Sequence, residues 1–166
     1  MIIFISGGVK SGKSGRALKL AREWKRPVSF IATAEVLDDE MKERIERHKA
    51  EREGLGFTTL EEPLELAAAL ALSGGYVLVD CLTMWVNNIM YHGREADFTK
   101  MLDAFIEGLT GKDACIVVSN ETGFGNIPAD ELTRRYNLIL AEANRKIAAA
   151  ANHVELMVAG LPLTVK

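Results

Sequence analysis

Apolar residues fall along this chain in two kinds of stretch. Near-continuous apolar runs occupy about 1–6, 28–33, 76–80, 115–119 and 154–159, with VSFIAT, YVLVD, CIVVS and VELMVA as examples. Unbroken runs of this length, rich in β-branched residues, read as strands buried on both faces. A final short strand is predicted near 163–166, after Pro162. Between the runs, apolar positions recur at helical spacing over about 13–25, 35–53, 63–72, 82–92, 97–109 and 129–151. Strand and helix therefore alternate, which predicts a mostly parallel sheet covered by helices on both faces, with ligands at the carboxyl ends of the strands.

Punctuation and composition add limits to that picture. Gly54-Leu55-Gly56, Gly74-Gly75 and Gly108 to Gly111 read as loops, and no internal repeat or linker marks a boundary, so residues 1–166 are expected to form a single domain. The net charge of −3 argues against a general nucleic-acid binder, which needs a basic surface. No apolar run approaches the roughly 20 residues that span a bilayer, and the first strand runs straight into a Gly-rich loop without a cleavable signal pattern. A cytoplasmic protein is expected. The two cysteines, Cys81 and Cys115, lack a C-x-x-C spacing and read as small core residues rather than a disulfide or metal site.

The chemistry begins at GGVKSGKS, residues Gly7, Gly8, Val9, Lys10, Ser11, Gly12, Lys13 and Ser14, which fits G-x-x-x-x-G-K-[ST]. It lies between a predicted strand and a predicted helix, the order needed to aim backbone N–H groups and a helix dipole at a phosphate chain. In that role Lys13 reaches the β- and γ-phosphates and the Ser14 hydroxyl ligates Mg²⁺. The competing reading is a Gly-rich turn with an exposed Lys and Ser. Asp80 ends the run YVLV and is placed to share the cation with Ser14. It could instead cap the helix that starts near Leu82.

In DDEMKERIERHKAER, Leu37, Met41 and Ile45 mark one stripe of a strongly helix-forming segment, and pairs at Glu40/Arg44 and Glu43/Arg47 support it. The stripe continues into His48 and then Arg52, so the inward face changes from apolar to imidazole and guanidinium. A histidine there can be a packing residue. Beside a triphosphate, a neutral imidazole can also attack phosphorus. His92 and His153 lie near predicted helix ends and receive no role.

With these residues in place, the chain resembles the bifunctional adenosylcobinamide kinase/adenosylcobinamide-phosphate guanylyltransferase family of cobalamin biosynthesis. The likeness runs through FISGGVKSGKS, FIATAEVLDDEMKERIERHK, VLVDCLTMWVNNIM, VVSNETGFGNIPADELTRRY and AAAANHVELMVAGLPLTVK. The D-E-M-x-x-R-I-x-x-H and N-E-x-G-x-G-x-x-P blocks are its narrowest parts.

The resemblance implies a three-layer P-loop NTPase (RecA-like) with a mostly parallel central sheet and a short antiparallel C-terminal strand. It also implies two reactions: phosphorylation of adenosylcobinamide by ATP or GTP, then transfer of GMP from GTP to adenosylcobinamide phosphate through a guanylyl-histidine at His48. Gly7 to Ser14 would hold the triphosphate, with Mg²⁺ at Ser14 and Asp80. Ala32, Thr33 and Ala34 would line the nucleotide site, joined by Lys49, Ala50, Glu51 and Arg52 after the nucleophile and by Glu61. The family also implies a homotrimer with sites at subunit junctions. Asn120 and Glu121 head the second narrow block, and Arg134 or Arg135 could clamp the substrate phosphate, with a surface role as the alternative. Two rival functions stay open, a single-activity P-loop small-molecule kinase and a nucleotide-binding regulatory protein.

Overall fold

The computed structural model describes residues 1–36, 39–125 and 127–166, apart from the side chains of Glu40, Arg44 and Glu51. The Leu37 position of the helical stripe, the Glu40/Arg44 pair and the expected nucleotide contact at Glu51 therefore lie outside the described residues.

Seven strands form one sheet: β1 (Ile2–Gly7), β2 (Val28–Ala32), β3 (Phe57–Glu61), β4 (Tyr76–Asp80), β5 (Ala114–Val118), β6 (His153–Val158) and β7 (Leu161–Thr164). Six helices connect them: α1 (Lys13–Glu23), α2 (Asp39–Arg52), α3 (Leu66–Leu72), α4 (Leu82–Tyr91), α5 (Phe98–Thr110) and α6 (Glu131–Ala150). The strand order is β3-β2-β4-β5-β1-β6-β7. Every neighbouring pair is parallel except β6 and β7, which form an antiparallel hairpin.

Side chains alternate across the sheet, so each strand feeds two cores. Ile2, Phe4, Val77, Val79, Cys115 and Val117 meet Leu70, Trp85, Phe105, Leu140 and Ile147 from α3, α4, α5 and α6. Ile3, Ile5, Leu78, Ile116 and Val118 face the other way and meet Ala17 and Ala21 of α1. Three layers result, as the alternation of apolar runs predicts. Trp85, at the centre of the larger core, is fully buried and its indole N–H donates to Leu64 O at 2.7 Å, so its one polar atom is satisfied. Neither cysteine forms a disulfide; burial pushes the Cys115 thiol up to about 11, so it behaves as a core residue. Among the described residues, no helix is long and apolar enough to cross a membrane.

The structure departs from the sequence pattern in three places. β3 lies where the sequence reads as loop. It is an edge strand of mixed exposure and never needs a continuous apolar run. The last strand covers Leu161–Thr164 rather than 163–166 and includes Pro162. Pro162 is tolerated because β7 is the outermost strand and one of its sides has no ladder to donate to. α3 starts at Leu66 rather than near residue 63, because the Glu62 carboxylate accepts the N–H groups of Leu64 (3.0 Å) and Glu65 (2.8 Å) and holds a turn there.

Candidate nucleotide site

The carboxyl ends of β1, β2 and β4, together with α2, surround a cavity of about 1130 Å³. Its floor is the Gly-rich loop. Gly7 has φ +147°, and a Cβ there would sit 2.6 Å from Met157 O of β6, so only glycine lets the loop leave β1 this close to its neighbour. Gly12, with φ +94°, turns the chain into α1. Glu121 N donates to Gly7 O (3.0 Å), Ser11 N to Gly8 O (3.3 Å) and Gly160 N to Ser11 O (3.2 Å), so the loop is tied to three other segments or to itself at successive points. α1 has no side-chain cap and no acidic residue in its first turn. Its unpaired N–H groups and positive dipole end are left to an anion in the cavity. The Lys13 ammonium is buried and donates to Gly8 O at 2.5 Å, lying along the loop it would serve.

Asp80 does not cap α4: the cap position is Cys81, whose side chain does not cap the helix. Asp80 lines the cavity together with Ser14 instead. Burial raises the Asp80 pKa, opposed by the Ser14 hydroxyl and by the charges of His48, Arg52 and Lys13. A hydroxyl and a carboxylate side by side at the start of a phosphate-binding helix are hard oxygen donors and fit Mg²⁺. Among the described residues no group of three or more His, Cys, Asp and Glu gathers. Magnesium suits such a sparse set, because it takes one or two protein oxygens and fills its octahedron with phosphate and water.

The opposite wall is α2. His48, Lys49 and Arg52 line the cavity with Met41, Ile45 and Arg47. Arg52 is buried with its guanidinium carbon 4.0 Å from the centroid of Phe30, a cation–π contact that holds the end of the helix against β2. Lys49 pairs with Glu61 at 2.5 Å across the rim. Glu61 reaches that rim because β3 pairs with β2 in a register that sets it beside Ala32. Among the described residues, five Lys and Arg side chains line the cavity against four acids, a small positive excess in a chain whose net charge is −3.

Of the residues expected on the nucleotide, Val9, Lys10, Ser11, Gly12, Lys13, Ser14, Ala32, Ala34, His48, Lys49, Arg52, Glu61 and Asp80 line this one cavity. Four others do not. Gly7 and Gly8 act through the backbone of the loop. Ala50 is exposed and faces a shallow depression on the far side of α2, with Glu46 and Glu53. Thr33 is fully buried, its hydroxyl taken up by the Cys81 backbone.

The cavity also draws on Phe30, Pro63 and Met84, which sequence reasoning missed. Phe30 reads as core, and nothing in its neighbourhood signals a guanidinium partner. Asn120 lines the wall, whereas Glu121 turns to Gly123 N at 2.8 Å. Of the two arginines considered for a phosphate clamp, Arg134 donates to Pro128 O (3.0 Å) and Ala129 O (2.6 Å) of its own loop, and Arg135 pairs with Glu95. His92 is held by Glu35 at 3.0 Å and His153 by Glu155 at 3.1 Å.

Solved structures share this arrangement. The chain superposes on flagellar accessory protein FlaH from Methanocaldococcus jannaschii with TM-score 0.54 and 14% identity, covering 99% of this chain and 77% of that one. For the RadB recombinase the TM-score is 0.55 at 14% identity, over 93% of this chain and 73% of that one. These likenesses concern the fold: with the phosphate loop, they define a P-loop NTPase of RecA-like architecture.

The family follows from sequence. Residues 3–165 match the family described as cobinamide kinase / cobinamide phosphate guanyltransferase, and the chain belongs to that family of enzymes. The bifunctional adenosylcobalamin biosynthesis protein CobP of Pseudomonas aeruginosa is 43% identical over 98% of this chain and 95% of its own length. The bifunctional adenosylcobalamin biosynthesis protein CobU of Escherichia coli K12 is 34% identical over the full length of both.

Proposed function

We propose that this enzyme carries out both reactions of its family in the one cavity, with His48 as a covalent guanylyl carrier. In the first, the γ-phosphoryl group of ATP or GTP passes to the aminopropanol hydroxyl of adenosylcobinamide. In the second, an imidazole nitrogen of His48 attacks the α-phosphorus of GTP; the bond to the bridging oxygen breaks and pyrophosphate leaves. A phosphate oxygen of adenosylcobinamide phosphate then attacks the same phosphorus, the P–N bond breaks, and adenosylcobinamide-GDP forms with His48 regenerated.

The observation that carries the reading is that His48 and the phosphate loop line the same cavity from opposite walls. Lys13 and the N–H groups of the loop neutralise the charge that develops on the transferring phosphate. Arg52, buried beside Asp80, adds positive charge on the His48 side. Mg²⁺, held by Ser14 and Asp80, would supply charge neutralisation between the phosphates. The same reading carries Lys49 and Glu61 as nucleotide contacts and a homotrimer in the cytoplasm, which sedimentation of the purified protein tests.

Labelled GTP separates the steps. Wild-type protein incubated with α-labelled GTP should carry acid-labile, alkali-stable label, while γ-labelled GTP leaves none. His48→Ala should lose the adduct and the guanylyl transfer and keep phosphoryl transfer to cobinamide within a few-fold, since that step needs no protein nucleophile. Wild-type rates of adenosylcobinamide-GDP formation by the mutant would show transfer to be direct, and equal loss of both activities would return His48 to a packing role. Phosphate ester as the sole product of the wild-type enzyme would support the single-activity kinase.

A further inference from the structure

Thr33 and Asn88 are both fully buried beside the cavity wall, and their polar atoms converge on the segment that carries Asp80. The Thr33 hydroxyl accepts from Cys81 N (2.8 Å) and donates to Cys81 O (2.8 Å), gripping both ends of one residue. Thr33 N donates to Asp80 O at 3.3 Å. Its carbonyl is held in turn by Asn88 Nδ2 at 2.7 Å, and the same amide donates to Pro63 O at 3.1 Å. Asn88 Oδ1 finds no partner among the described residues.

Polar groups kept in a core at this cost call for a reason beyond filling space. Valine and leucine would fill the two positions, and the α4 residues that flank Asn88 in the core, Trp85 and Ile89, are apolar. Every hydrogen bond of Thr33 named above, apart from the one it receives from Asn88, goes to residue 80 or 81. Together these bonds fix the orientation of the Asp80 backbone relative to β2, while Asp80 lines the cavity together with Ser14.

We propose that Thr33 and Asn88 are positioning residues, a buried chain from α4 through β2 that sets the direction in which Asp80 presents its carboxylate to the cation of a bound nucleotide. The proposal rests on the reading of Ser14 and Asp80 as the magnesium pair. It gives Thr33 a role one layer behind the nucleotide contact expected from sequence.

The test is calorimetric titration of the full chain with GTP in its α,β-methylene form, which cannot pass GMP to His48, once with Mg²⁺ and once with EDTA, so that neither the adduct nor cobinamide turnover intervenes. Thr33→Val keeps the shape and removes the hydroxyl. It should bind the analogue in EDTA as wild type does, and lose about 10-fold or more of the affinity gained from Mg²⁺, the scale seen when outer-shell partners of metal ligands are removed. Thr33→Ser should restore most of that gain, and Asn88→Ala should lose part of it. If Thr33→Val does not fold, Thr33→Ala removes the same hydroxyl with less crowding and is read the same way. A Thr33→Val protein with the wild-type gain overturns the proposal, as does a Thr33→Ser protein that loses as much as Thr33→Val. A wild-type protein whose affinity for the analogue ignores Mg²⁺ overturns the magnesium pair and the positioning role together.

Discussion

The two walls of the cavity are built on different terms. The phosphate loop leaves β1, a strand buried along its whole length between β5 and β6, and runs into α1, whose Ala17 and Ala21 belong to the smaller core. α2, which carries His48, contributes no described residue to either core. It is held by the Arg52–Phe30 contact at its end and by the exposed Lys49–Glu61 pair, and pairs of that exposed kind contribute little. The difference matches the two tasks. Phosphate binding needs fixed N–H groups in both proposed reactions, whereas His48 as the proposed nucleophile would be needed at the α-phosphorus in one and out of the way in the other. A loosely packed helix can meet that second demand at small energetic cost.

Replacing Lys13 tests the rigid wall most severely. Lys13→Ala should slow both reactions by about 10³-fold, or about 4 kcal/mol of transition-state stabilisation, in a protein that still folds. Steady-state rates of phosphate-ester and guanylyl-product formation check this, and loss of only one activity would break the idea of a shared loop.

Matched truncations compare the packing directly. Ile116→Ala, in the core beneath α1, should destabilise by about 3 kcal/mol, and Ile45→Ala, on α2, by about 1 kcal/mol or less. Urea unfolding of both proteins measures the gap, and equal losses would mean that α2 is anchored as firmly as the sheet.

Glu155 sharpens the account of the rigid side. Arg16 of α1 donates to both oxygens of this buried β6 carboxylate, at 2.8 and 2.6 Å, and binds the helix to the sheet. Glu155→Gln should cost about 2 kcal/mol, the scale of hydrogen bonds to a charged group. The Arg16 hydrogen bond holds the Glu155 carboxyl below the ordinary glutamate range, so the native state binds fewer protons there than the unfolded chain. That stability is complete above the ordinary glutamate value and drains as the pH falls through the lower, folded one. Thermal melting from neutral pH downward should therefore show wild type and Glu155→Gln converging in acid; a constant gap would place the stabilisation elsewhere.

The smallest effect concerns the tether of α2. Arg52→Met removes the cation–π contact, worth about 1 kcal/mol, and should speed amide exchange across α2 by about fivefold while leaving β1 unchanged. Unaltered exchange in α2 would show that the contact is not what holds the helix.

These two walls were also unequally legible in the sequence. The rigid one could be read almost residue by residue, because buried parallel strands need apolar runs and a phosphate loop needs glycines at fixed offsets. Asp80 reads as sharing a cation with Ser14 from its place at the end of such a run, and only the alternative, a cap on α4, needs the structure to set it aside. The other wall left weaker traces. β3 is an edge strand with no apolar run to betray it, yet it sets Glu61 at the rim. The helical stripe runs along His48 and Arg52, which line the cavity, but periodicity on a mostly exposed helix does not show that Ala50 faces a separate shallow depression. The Thr33 hydroxyl meets the neighbouring backbone: a short polar side chain at a strand end reads the same in sequence whether it meets that or a ligand.

The position of Gly7 against Met157 has a consequence for how the protein is made. β1 leaves the ribosome early, but its neighbours in the sheet begin only at Ala114 and His153. The carbonyl that Gly7 must pass lies at the far end of the chain, and so does Gly160, whose N–H steadies Ser11. A nascent chain can therefore contain the whole GGVKSGKS motif and still lack a phosphate loop, because the scaffold that shapes it has not yet been translated. Long-range pairing of this kind is slow to form. Nucleotide capture therefore waits for β6, and it certifies that β6 has docked.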